Sequence, residues 1–169
     1  MRFQLQLVSK ASNPTIPINY QYPLSAAIYK ILDKADSDYA AFLHEDGYHV
    51  DGGLKHFKLF TCSDLNGRCK GNQDRLHINS MMELIVSFHL PEAAQHFVKG
   101  LFLSQDIDIA DRKSKATFKV NSVEALPDPF IDFEKEVNRA ISVRPMSPCV
   151  AGIKNDKDYG ELKKIFGGD

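Results

Sequence analysis

Residues 2–8, RFQLQLV, alternate: Phe3, Leu5 and Leu7 face one way, and Arg2, Gln4 and Gln6 the other. This is the period of a half-buried strand. ASNPTIPINY follows, and its two prolines mark an extended loop. A helix starts at Pro23, where the missing N–H does no harm. Its buried stripe is Leu24, Ile28, Ile31, Leu32 and Ala35, recurring at three- and four-residue spacing. Tyr29 lies roughly 120° from the middle of that stripe at ~100° per residue, so it falls at the edge of the buried face or beyond it. Ser37 is placed to cap a second short helix, DYAAFLH, and Gly47 to close it.

Further along, FKLFTCSDL (57–65) has the aromatic and β-branched content of a strand. NGRCKGNQDRLH reads as a polar turn region, and ELIVSFHL (83–90) as a strong strand. Pro91 begins the helix PEAAQHFVKGLF, with Ala94, Phe97, Val98 and Leu101 on one side. Strands follow around QDIDIA and KATFKVNSVEAL. The order β-α(α)-β-β-α-β predicts an α+β fold of the ferredoxin-like, split βαβ kind: an antiparallel sheet with helices on one face. That domain is expected over residues 1–126. Residues 127–144 read as a linker or the first element of a second domain, and 145–169 as an incomplete C-terminal segment.

Composition narrows the function classes. With 169 residues and 43% hydrophobic positions, the chain can build a core, and disorder is not expected. No run approaches the ~18 apolar residues of a membrane span. The alternating N-terminus is not a secretory signal, so the expected compartment is the cytoplasm, with no membrane partner. Cys62, Cys69 and Cys149 are an odd set without CxxC spacing, which predicts free thiols. A net charge of −1 excludes a global positive field, though not a local basic groove.

Four stretches in order, MRFQLQLV, YQYPLSAAIYKIL, FLHEDGY ahead of FKLFTCSDL, and MSPCVAG, resemble the CRISPR-associated endoribonucleases that process precursor CRISPR RNA, the sixth Cas family. The resemblance covers most of residues 1–150. It implies metal-independent cleavage of CRISPR repeat RNA by 2′-hydroxyl attack, giving 2′,3′-cyclic phosphate and 5′-hydroxyl ends, with no cofactor. It implies a catalytic tyrosine in the first helix, matching Tyr29, a histidine matching His44, and a lysine ahead of the strand, matching Lys58. It also implies CRISPR repeat RNA as partner, with hand-over to other CRISPR-associated effector subunits. A glycine-rich loop typical of the family's C-terminal part has no counterpart, so the chain is expected to lack most of that domain. An exposed sheet edge left in this way would favour a homodimer.

The chemistry asks for a proton-transfer group and for positive donors around the phosphorane. Histidine, with a reference pKa of ~6.5, suits the first task and lysine the second. Tyrosine suits orienting the 2′-hydroxyl. On residue pattern alone, Tyr29 reads equally as a helix-edge aromatic. His44 reads as a helix C-terminal residue favoured by the dipole, and Lys58 as a solvated strand lysine. His49 and His56 are the substitutes for His44. His77, His89 and His96 are scattered, and His89 and His96 are read as lacking a carboxylate at ligand spacing on their own element, so no metal site is expected. RNA contacts are sought at Lys30, Lys55, Arg68, Lys70 and Arg75, and more broadly at Lys34, Arg139 and Arg144. NGRCKGNQDR is the best basic cluster. The aromatic pattern of an RNA recognition motif is absent. Two other readings share the fold: a noncatalytic RNA-binding or assembly subunit, and an unrelated ligand-binding domain.

Overall fold

The computed structural model describes residues 1–49 and 56–128. In chain order the elements are β1 (Arg2–Ser9), β2 (Thr15–Pro17), α1 (Gln21–Ala35), α2 (Ser37–Glu45), β3 (Tyr48–His49), β4 (His56–Phe57), β5 (Phe60–Cys62), β6 (Cys69–Asn72), β7 (Arg75–Ile78), β8 (Met82–Phe88), α3 (Pro91–Leu103), β9 (Asp106–Ala110) and β10 (Lys115–Leu126). The main sheet has the order β5-β8-β1-β10-β9, with antiparallel neighbours throughout. Without the edge strand β9, that is the ferredoxin-like order expected from the sequence, since β5, β8 and β10 follow β1 as the second, third and fourth strands of the split βαβ unit.

The alternation in β1 has the anticipated consequence. Phe3, Leu5 and Leu7 are buried with Met82, Leu84, Val86 and Phe88 of β8, and with Ala116, Phe118 and Val120 of β10. Helices α1 and α3 bury Ile28, Ile31, Leu32, Phe97 and Leu101 in the same core. Phe97 is fully buried, with its ring 5.0 Å from Phe88 and 6.2 Å from Phe3. Truncation of such a ring to alanine costs about 3–5 kcal/mol. The helices cross closely at Gly100, where an added Cβ would stand 1.9 Å from the Ile31 carbonyl oxygen. A bulge in β10 leaves Asn121 unpaired between Ser122, opposite Gln6, and Val120, opposite Leu7.

Four local expectations change. NGRCKGNQDRLH is not a bare turn: β6 and β7 form a hairpin across Gln73 and Asp74, and β2 joins β7 to make a second, three-stranded sheet. Part of the expected proline loop is thus a strand. The stretch 57–65 is not one strand. It splits into β4, paired with β3, and β5, paired with β8, at Leu59, whose φ of 52° turns the chain. Asp36, not Ser37, caps α2; its carboxylate accepts the Tyr39 N–H at 2.9 Å. Gly47 closes α2 as anticipated, with a φ of 62° and its N–H donated to the Phe42 carbonyl.

Met82 and Phe88 mark opposite ends of β8, ~20 Å apart at the strand rise of about 3.3 Å per residue. The β6–β7 hairpin lies at the Met82 end, tied by Asn66 to Glu83 and by Arg68 to Ser80. The chain terminus Met1 lies at the Phe88 end, where its amino group donates to the Phe88 carbonyl at 2.7 Å. Among the described residues no helix is long and apolar enough to cross a membrane. The expected linker at 127–144 and the segment 145–169 lie outside the described residues beyond Asp128.

Candidate active site

Tyr29 stands in the third turn of α1, one residue past Ile28 of the buried stripe, and is half-buried. Asp36 ends α1 and caps α2 in a single residue, so the two helices meet without an intervening loop. That junction folds the last turn of α2 back along α1. The His44 ring then lies edge-on to the Tyr29 ring, with centroids 5.7 Å apart and planes at 77°. A cleft of about 330 Å³ along the two helices is lined by Tyr29, Lys30, Asp33 and His44 among others.

Lys58 arrives from the other side. The turn at Leu59 separates it from β5, and its Nζ sits 4.7 Å from the centre of the Tyr29 ring. An ammonium over an aromatic face at this distance is an attractive cation–π contact. The Leu59 carbonyl accepts the His89 N–H at 2.9 Å, which holds the turn against the end of β8. A leucine in the left-handed region is strained, and such strain persists only where surrounding contacts over-determine it.

The three residues singled out from the sequence therefore meet around one ring. A fourth, Phe60, went unnoticed there: its ring packs 5.5 Å from Tyr29 at 77°. Its position two residues after Lys58 was the available signal. The Tyr29 hydroxyl is buried and has no hydrogen-bond partner among the described residues. His44 and Lys58 are exposed. A buried tyrosine hydroxyl beside an exposed imidazole and an exposed ammonium supplies the groups to orient a bound ribose, transfer a proton and stabilise an anion.

The RNA-contact candidates scatter. Lys30 lines the helical cleft. Arg68 and Lys70 are exposed on and beside the β6–β7 hairpin, at the far end of β8. Arg75 is committed elsewhere: its guanidinium lies 2.8 Å from the Asp111 carboxylate and donates to Ser114 Oγ at 2.9 Å. The hydrogen bond that the Arg75 guanidinium donates to it holds the Asp111 carboxyl well below the usual carboxylate range. Lys55, Arg139 and Arg144 lie outside the described residues.

Among the other histidines, His96 has acidic neighbours that the sequence reading overlooked. Glu92, four residues earlier on α3, stands 4.0 Å away, and Asp36 stands 3.9 Å away. The His96 ring stacks on Tyr39 at 4.7 Å. Burial and a contact with the Tyr48 hydroxyl push the Tyr39 phenol upward. Among the described residues no three His, Cys, Asp or Glu side chains gather as a metal-binding group. Cys62 and Cys69 are free thiols, and burial raises the Cys62 thiol.

Comparison with known proteins gives a family match. The model of "CRISPR-associated protein Cas6, N-terminal" matches residues 15–124, more than half of the chain. No curated protein matches. Among solved structures, the chain is similar to the product of a Cas6-related gene from Pyrococcus furiosus, with 23% identity and a TM-score of 0.60, over 76% of this chain and 48% of that one. It is similar to a RAMP protein described as binding different RNA substrates, with 21% identity and a TM-score of 0.58, over 75% and 48%. A CRISPR-associated protein Cas6 aligns at 29% identity with a TM-score of 0.54, over 76% and 49%. The chain spans about half the length of these solved structures.

Proposed function

The chain belongs to the Cas6 family of CRISPR-associated proteins, and from that premise we propose that it carries the cleavage site of a metal-independent endoribonuclease acting on CRISPR repeat RNA. The supporting observation is the convergence of Tyr29, His44 and Lys58 within 4.7–5.7 Å of one ring centre. In this reading the ribose 2′-oxygen attacks the adjacent phosphorus and the bond to the 5′-oxygen breaks. The products are a 2′,3′-cyclic phosphate and a 5′-hydroxyl.

His44, exposed at the end of α2, serves proton transfer. Lys58 stabilises the negative charge that builds on the phosphorane oxygens. The Tyr29 hydroxyl, which has no hydrogen-bond partner among the described residues, orients the attacking 2′-hydroxyl once bound RNA uncovers it. Exposure on one side and the aromatic wall of Phe60 on the other leave room for a phosphodiester and keep the tyrosine fixed.

The test is repeat-RNA cleavage in the presence of a chelator. Wild type is expected to cut with the chelator present, and His44→Ala to lose about 10²–10⁴-fold in rate with RNA binding unchanged. Equal cutting by the variant would remove His44 from the mechanism.

A second reading is a noncatalytic RNA-binding or assembly subunit that serves other CRISPR-associated effector proteins. It is favoured by the burial of the Tyr29 hydroxyl, which RNA must uncover before that group can act. It predicts repeat-RNA binding without cleavage in wild type and His44→Ala alike.

A further inference from the structure

A groove of about 890 Å³ opens at the Phe88 end of the sheet, with Lys58 in its wall. We propose that this groove is a subsite for one nucleotide of single-stranded RNA, its base stacked on Phe57 and its phosphate held by Arg2. The proposal rests on the RNA reading above, and it adds a subsite and two residues that reading does not use.

The argument starts from shared walls. Lys58 and Phe60 line the groove and also touch Tyr29. A strand of RNA with one linkage at the Tyr29 ring therefore has this groove as its neighbouring space. The volume lies in the ~300–1,000 Å³ range of small-ligand sites. Phe57 is 41% exposed although it is a large apolar ring, and it faces this space. A ring left open beside polar groups is what base stacking needs.

Charge favours the same occupant. Among the described residues, neither Arg2 nor Lys58 forms an ion pair with a carboxylate, whereas Arg75, Lys10, Lys113 and Lys115 each do. Among the described residues of the groove wall, Asp128 is the one acidic side chain, against Arg2, Lys58 and the imidazole of His89. An apolar peptide would use the rings and leave these cations without a role.

The test uses the whole 169-residue chain and 2′-O-methylated octaadenylate and octauridylate, which cannot be cleaved by 2′-oxygen attack. Binding is read by fluorescence anisotropy across a salt series. Wild type is expected to bind both octamers. Phe57→Ala should weaken both about 10-fold, with Phe57→Tyr restoring the affinity. Arg2→Gln should weaken binding and lower the salt slope by about 0.7.

Thermal melts of each variant report folding separately. Wild-type affinity in a folded Phe57→Ala, or no octamer binding by wild type, overturns the subsite; so does binding of an apolar peptide that displaces the octamers from wild type and Phe57→Ala alike. Because this assay reads binding and the His44 assay reads cutting, either reading can fail while the other stands.

Discussion

The two ends of the sheet treat charge in opposite ways. At the Met82 end, the β6–β7 hairpin and the β9–β10 turn exchange two close ion pairs, Arg75 with Asp111 and Lys113 with Asp74, both at 2.8 Å, and Lys115 of β10 pairs with Asp108 of β9 at 2.7 Å. At the Phe88 end, Lys58 leans on an aromatic ring, and neither it nor Arg2 has a carboxylate partner among the described residues. A neutral chain can thus keep a local cationic surface by spending its acids at the other end. Net charge says little about where a polyanion can dock; the pairing map says more.

The sharpest way to break this contrast is Lys58→Met. If the open end is the working end, RNA cleavage falls about 100-fold while the melting temperature hardly moves. Lys113→Met should leave cleavage unchanged; a comparable loss there would erase the distinction.

Arg75→Met should do the reverse of Lys58→Met, lowering the melting temperature with little effect on cleavage. Its pH dependence has a defined sign. Asp111 has a folded-state pKa depressed by Arg75, so its contribution is present above the unfolded carboxylate value of about 3.9 and is lost as pH falls through the folded value. The stability gap between wild type and Arg75→Met should therefore narrow progressively from about pH 4 downward, as followed by denaturant melts.

The smallest effect is expected at Tyr29→Phe. Removing a buried hydroxyl that has no partner among the described residues should raise stability by about 1 kcal/mol while cleavage falls. A drop in stability would show that the hydroxyl is satisfied in the folded protein.

What could be read from the sequence follows from what periodicity encodes. β1, α1, β8 and α3 were legible because each buries one face, and the burial writes a two- or 3.6-residue period into the chain. The β6–β7 hairpin was not, because all four residues of β6 are exposed and nothing selects a face. The break in 57–65 was hidden for another reason. Leucine does not announce a left-handed turn; the His89 N–H bonded to the Leu59 carbonyl, 30 residues away in the chain, holds it. Tyr29 and His44 were within reach because adjoining helices bring them together, whereas the position of Lys58 over the ring depends on that turn. Arg75 looked like an RNA contact because its partner, Asp111, is distant in sequence.

The crossing at Gly100 puts the site under remote mechanical control. The carbonyl it meets belongs to Ile31, two residues beyond Tyr29 on the same helix. One methyl group there would act as a wedge between the two helices, shifting the tyrosine's whole supporting rod. Mutational surveys that leave glycines untouched would never find that lever.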